Sequence, residues 1–345
     1  MSNEDIINAR KQVSKINRES RNSAKLNYCL YCGKRTNRFC NSHSVPQFVL
    51  KNIDKEGKVD YFNSLFHLPL MNNDVGISEA GTFHLLCREC DNNVFSDYED
   101  QEKINQYPSQ KILTEIALKN YLVFLGKRYF EIELYSIHEK KYHAPLPYEA
   151  KRVANVLDLS DFQLHYNKVK DMLEYKTNDE MHILFWKKLD YVVPIAYQGA
   201  VTLYCDLKGE IINDVYNNSP DIKMKYLHIS IFPLEKESII IAFYDDCDTE
   251  YEGFEEQFND LSEDEKLELI HFIIFKYSED MFLSKEVLSN ERVMKRLKIV
   301  AASGTYLFES AMDGVENYKA KQGLVRRKKI PNLLCEEYKM QVLSQ

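Results

Sequence analysis

Cys29-Leu-Tyr-Cys32 and Cys87-Arg-Glu-Cys90 are two C-x-x-C steps separated by a long insertion, and reading them decides the fold of the amino-terminal part of the chain. Each step puts two thiolates on one tight turn, and two such turns complete a closed tetrahedron around a zinc ion. One step alone would also suit a redox pair. Here Gly33 and basic residues follow the first step, without the strand-to-helix setting of a redox site. Structural zinc on Cys29, Cys32, Cys87 and Cys90 is the expectation. Cys40 is left as an unused thiol or a substitute ligand, and Cys205, Cys247 and Cys335 show no partner spacing. Eight cysteines in 345 residues, four of them spaced for zinc, fit a reducing compartment better than a disulfide scaffold.

The insertion holds Phe39-Cys-Asn-Ser-His43-Ser-Val-Pro-Gln-Phe-Val-Leu50, a histidine beside a Val-Pro step and an apolar run. The second step continues as Leu85-Leu-Cys-Arg-Glu-Cys-Asp-Asn-Asn-Val-Phe-Ser-Asp-Tyr-Glu99. This order of knuckle, histidine, knuckle and helix resembles the HNH, or ββα-metal, endonuclease family over residues 28 to 105. The resemblance implies a strand bearing His43 as general base for an attacking water. It also implies a catalytic Mg²⁺ or Mn²⁺ held by Glu99, with Asn92 fixing the loop or the imidazole. Asn92 lies seven residues before Glu99, which on a helix is the same face. Asp91, directly after the second knuckle, is the alternative, a metal ligand at the helix start. Ser42 stands where the family often has an acid or a histidine that helps bind the ion. The resemblance further implies phosphodiester hydrolysis, with DNA ahead of RNA as substrate, in a bacterial restriction, mobile-element or phage-defence setting. The rival expectation is a non-catalytic, zinc-stabilised nucleic-acid-binding module in which Ser42 marks a lost metal site. His84 and His67 are weaker candidates, better read as a strand position and a loop or packing residue.

A net charge of −8 argues against a nucleic-acid partner until its distribution is considered. Residues 1 to 51 carry ten Lys/Arg against three acids, a local +7, and lead directly into His43. Lys25, Lys34, Arg35 and Arg38 are the expected phosphate contacts. A second basic cluster comprises Lys319, Lys321 and Arg326-Arg-Lys-Lys329.

The whole reads as an α+β chain in three parts: a polar basic arm at 1–27, a zinc-stabilised HNH-like module at 28–107, and a larger mixed domain at 108–345. The arm is expected to be a frayed helix or to order on a partner. Ser109 caps a helix lined by Ile112, Leu113, Ile116, Ala117 and Leu122, with Gly126 as its stop. Mixed strands and helices are expected from about residue 128. His182–Trp186 and Val192–Leu207 look extended, Lys208-Gly209 turns, and Tyr226–Phe232 pairs with Ser238–Tyr244 in a largely antiparallel sheet. Ser262-Glu-Asp-Glu265 is a capping box, and a further helix spans Lys285–Val300. No chemical constellation marks the third part, which is assigned a protein partner or a signal ligand. With no long apolar run and no apolar leader, a cytoplasmic protein without membrane contact is expected.

Overall fold

The computed structural model of the protein describes residues 3–62, 74–142, 145–175, 177–215, 217, 219, 221–278, 281–305, 327 and 330–341. His67 lies outside them, as does the second basic cluster apart from Arg327, whose guanidinium pairs with Glu268 at 2.9 Å. The elements run α1 (Asn3–Ser23), β1 (Ser42–His43), α2 (Gln47–Leu50), β2 (Lys58–Phe62), β3 (Asp74–Gly76), β4 (Thr82–Phe83), α3 (Arg88–Val94) and α4 (Gln101–Ile104). They continue with α5 (Gln110–Tyr142), α6 (Pro145–Tyr175), β5 (Met181–Leu189), β6 (Ile195–Val201), β7 (Leu227–Pro233), β8 (Ser238–Asp245), α7 (Glu252–Asn259), α8 (Glu263–Tyr277), β9 (Met281–Leu283), α9 (Lys285–Leu288) and α10 (Glu291–Thr305).

Leu227-His-Ile-Ser-Ile-Phe-Pro233 and Ser238-Ile-Ile-Ile-Ala-Phe-Tyr-Asp245 are buried along their whole length, the pattern of strands covered on both faces. They pair antiparallel near the middle of a seven-stranded sheet of order β3-β2-β9-β6-β7-β8-β5. Side chains alternate across a strand, so β8 divides its apolar residues between two cores. Ile240, Ala242 and Tyr244 pack with Phe254 and Phe258 of α7 and with Ile270, Ile273 and Ile274 of α8. Ile239, Ile241 and Phe243 pack with Ile112, Leu113 and Ile116 of α5, and with Cys29, Val49 and Leu50. The knuckle region therefore sits on the α5 face of the sheet, within its core.

Elements on both sides of the expected boundary at residue 107 share one sheet and one core. β2 and β3, which come from the insertion between the cysteine pairs, are strands of the large sheet, and β2 pairs with β9 through Asp60–Leu283, Tyr61–Phe282 and Phe62–Met281. The arm is likewise part of the body. α1 is one helix packed on α5, with Ile16 and Ser20 buried and Arg21 over the Phe130 ring at 5.9 Å.

Ser109 does accept a hydrogen bond from the Ile112 amide, but the helix does not stop at Gly126. There α5 passes close to β4: a methyl at Gly126 would lie 3.6 Å from Leu85 and 3.9 Å from Phe83. Of the segment expected to mix strands and helices from about residue 128, the part up to Tyr175 completes a hairpin of two long helices, α5 and α6, and the mixture begins with β5 at Met181. The Ser262 capping box is present. The helix expected at 285–300 is broken, because the Asn290 side-chain Oδ1 accepts from the Arg292 and Val293 amides and so starts α10 afresh. No helix among the described residues is long and apolar enough to cross a membrane.

Candidate functional site

The first knuckle turns at Gly33, whose φ of +70° suits glycine, and closes with Gly33 N–H donating to the Cys29 carbonyl at 2.8 Å. The second opens α3, with Cys87 in extended conformation at the N-cap. Backbone bonds bring the two together: Leu30 N–H to Leu85 O at 2.9 Å and Cys40 N–H to Leu86 O at 2.7 Å. The first knuckle is also held to α6, where Tyr166 Oη donates to Leu30 O at 3.2 Å and Lys170 Nζ to Tyr31 O at 2.7 Å.

Sγ of Cys29, Cys32, Cys87 and Cys90 all lie within 4.8 Å of one another. A tetrahedron of thiolates at zinc distance has sulfurs about 3.8 Å apart, so the set fits a closed, structural zinc site. Burial raises the Cys29 thiol, but backbone hydrogen bonds at Cys32, Cys87 and Tyr31 more than offset it and bring the thiol down to about 7. Burial and the neighbouring sulfurs push Cys90 up. A dication relieves both burial and mutual repulsion by taking four thiolates together. Cys40 does not join them. Its thiol donates to Asp91 Oδ2 at 3.1 Å, and burial followed by that carboxylate raises it to about 11.

His43 lies on β1, whose two residues pair with β4 as Ser42–Phe83 and His43–Thr82. Gly81, at φ +64°, makes the approach possible: a side chain there would collide with Ser44 and Phe282. The His43 ring is half-buried, with hydrogen bonds to the backbone at Ile77 and Ser78, while its Nε2 is buried without a partner among the described residues. Burial holds the imidazole below its usual range. The Lys119 ammonium adds to this effect, and Glu99 and the backbone bonds oppose it.

The remaining predicted residues are only partly brought together. α3 ends at Val94, where Phe95 turns its fully buried ring into the core, so Asn92 and Glu99 do not share one helix and the seven-residue argument does not apply. Asn92 is exposed. Asp91 is buried, accepting from Ser42 Oγ at 2.6 Å on Oδ1 and from Cys40 on Oδ2. Glu99 accepts from Lys119 Nζ at 2.9 Å, and the same nitrogen lies 3.6 Å from Asp91 Oδ1. Three of the four carboxylate oxygens, Glu99 Oε1 and both of Asp91, already serve an ammonium, a hydroxyl and a thiol, a poor fit to a Mg²⁺ or Mn²⁺ ion, which takes an oxygen shell of its own.

Lys119 escaped the sequence reading. Its signal was a charge three residues after Ile116, inside the apolar stripe of α5. Lys25, Lys34, Arg35 and Arg38 are all exposed, with Lys34 3.8 Å from Glu89. His84 is exposed too, although partial desolvation of its ring, then Lys25 and Arg21, hold its imidazole below the usual range. No family model, curated protein or solved structure matches the chain.

Proposed function

We propose that the protein is a nuclease that hydrolyses phosphodiester bonds, DNA ahead of RNA, through the zinc-supported hairpin that carries His43. The observation behind this reading is the buried, unpartnered Nε2 of His43 on a strand between two cysteine knuckles. Burial favours the neutral imidazole, the form that can accept a proton from water. Exposed cations on α1 and the first knuckle would grip the phosphates while His43 acts on the water. His43→Ala should lower cleavage at least about a hundredfold while binding is kept, measured on DNA and RNA with and without divalent ions. Wild-type protein that cuts neither substrate under any of these conditions would sink the proposal.

A non-catalytic nucleic-acid-binding module is the second reading, and the filling of the Asp91 and Glu99 oxygens by Lys119 favours it. The same assay separates the two. Both readings expect binding to weaken steeply with salt. The loss should come from the exposed cations Lys11, Lys15, Arg18, Lys25, Arg35 and Arg38. Changing Lys15, Arg18 and Lys25 together to Gln should reduce the slope of log K against log salt by about 2 to 3. An unchanged slope would remove α1 from the interface.

A further inference from the structure

α5 carries its polar residues into the core instead of out of it: Glu115, Lys119 and Asn120 are all buried on its packed side. Glu115 and Asn120 have local work, the first accepting the Tyr98 amide at 2.7 Å and the second meeting His228 at 3.0 Å. Lys119 is different. Its side chain is 0% exposed, and its ammonium reaches out of α5 into the space between Asp91 and Glu99. The nitrogen lies 2.9 Å from Glu99 Oε1, 3.6 Å from Asp91 Oδ1 and 3.7 Å from the centre of the Phe95 ring, with the Tyr98 ring at 5.7 Å. A buried ammonium is tolerated only when paired, and two carboxylates and two aromatic faces supply what it needs.

We infer that the Lys119 ammonium is the resident cation of this site and excludes a divalent ion from Asp91 and Glu99. The inference takes these two carboxylates as the ion-binding groups that the HNH resemblance implies, and it does not depend on whether His43 cuts anything. A divalent ion bound by both carboxylates would sit within a few ångströms of a fixed positive charge that already uses the same oxygens. Magnesium and manganese also demand near-octahedral oxygen shells. Here one of the three positions that could supply oxygen is Ser42, which donates a hydrogen bond to Asp91. The serine then has a physical reason. An acid at position 42 would set another carboxylate against Asp91, with a single ammonium to balance three negative charges; a hydroxyl instead donates to Asp91 and leaves two.

The test is a titration of the zinc-loaded full chain with Mn²⁺ alone, read by electron paramagnetic resonance and by paramagnetic broadening of the His43 imidazole signals. Wild-type protein is expected to take up no Mn²⁺ beside His43 at millimolar concentration. Lys119→Ala frees both carboxylates and should gain a site at least about tenfold tighter, with His43 broadened. Glu99→Gln added to that variant should remove the gain. Wild-type protein that binds one Mn²⁺ with broadening of His43, abolished by Glu99→Gln, overturns the inference. Should Lys119→Ala fail to fold, the wild-type titration decides alone. Cleavage is read in neither arm, so a failed nuclease assay leaves this result standing.

Discussion

Cys32→Ser should cost the protein its metal and much of its stability, even though Cys32 is an exposed residue. An exposed side chain with no special role changes stability by about half a kcal/mol or less when replaced. A structural zinc contributes on the order of 10 kcal/mol or more, comparable with the whole net stability of a domain. The expected loss is large because the knuckles are inside the fold. Cys29 and Cys90 pack in one core with Leu50, Ile112 and Phe232, and few backbone bonds join the two turns. Cys90→Ser should behave alike. Elemental analysis should find about one zinc per chain in the wild type and none in either variant, together with a sharply lowered denaturation midpoint. Full zinc occupancy and an unchanged midpoint in Cys32→Ser would refute the tetrad.

His271→Leu should become progressively more stabilising as the pH falls. His271 and His228 are both buried, and burial lowers each from 6.5 to about 3; the nearby His165 lowers His228 further and Asp245 opposes. A depressed folded-state value means that the unfolded chain takes up the proton first, so the stability present above the unfolded value is lost as pH falls through 6.5 toward 3. The loss is about 2 kcal/mol per histidine near pH 5. His228 cannot be tested by simple replacement, because its ring nitrogens meet Asn120 at 3.0 Å and Tyr121 at 3.3 Å. His271 Nε2 has no hydrogen-bond partner, and the ring lies 4.3 Å from that of Phe275. A leucine fits this setting without leaving a donor stranded. Urea denaturation of wild type and variant at about pH 8 and about pH 5 should show their difference grow by about 2 kcal/mol at the lower pH. Asp248, raised to about 7 by burial and then by Asp245, slopes the other way, so the comparison with wild type is the measure and not the raw acid limb. A difference independent of pH would show that His271 is not held neutral.

What the sequence disclosed was local. The cysteine pairs are spaced by four-residue turns and the Ser262 box by a single helical turn; Lys208-Gly209 does turn, with Gly209 at φ +96°, but it closes only an isolated Cys205–Ile211 bridge, β6 having ended at Val201. Each is decided by residues close together in the chain. The failures are long-range. Gly126 looked like a stop because nothing nearby revealed that β4 would pack against it. β2 and β3 are too short to announce themselves, and the pair they form joins the rest of the large sheet only through β9. At the candidate site, the cysteines and His43 could be found by motif. Lys119 could not, because its partners Asp91 and Glu99 lie on another segment and a charge in an apolar stripe has no local explanation.

The pairing of β2 with β9 also sets an order of events during synthesis. Met281 follows Phe62 by 219 positions of chain (281 minus 62), which a ribosome adds over roughly 10 to 40 seconds. For that interval the edge of Lys58–Phe62 opposite β3 has no strand to receive it, while the second cysteine pair is made long before β9. The nascent chain must therefore wait with an open strand edge, the feature that most invites aggregation. Zinc capture by the knuckles is a closure available early, since both cysteine pairs precede β9 in the chain. Producing the protein in zinc-starved cells should accordingly yield insoluble chains even where finished, folded molecules would survive a chelator.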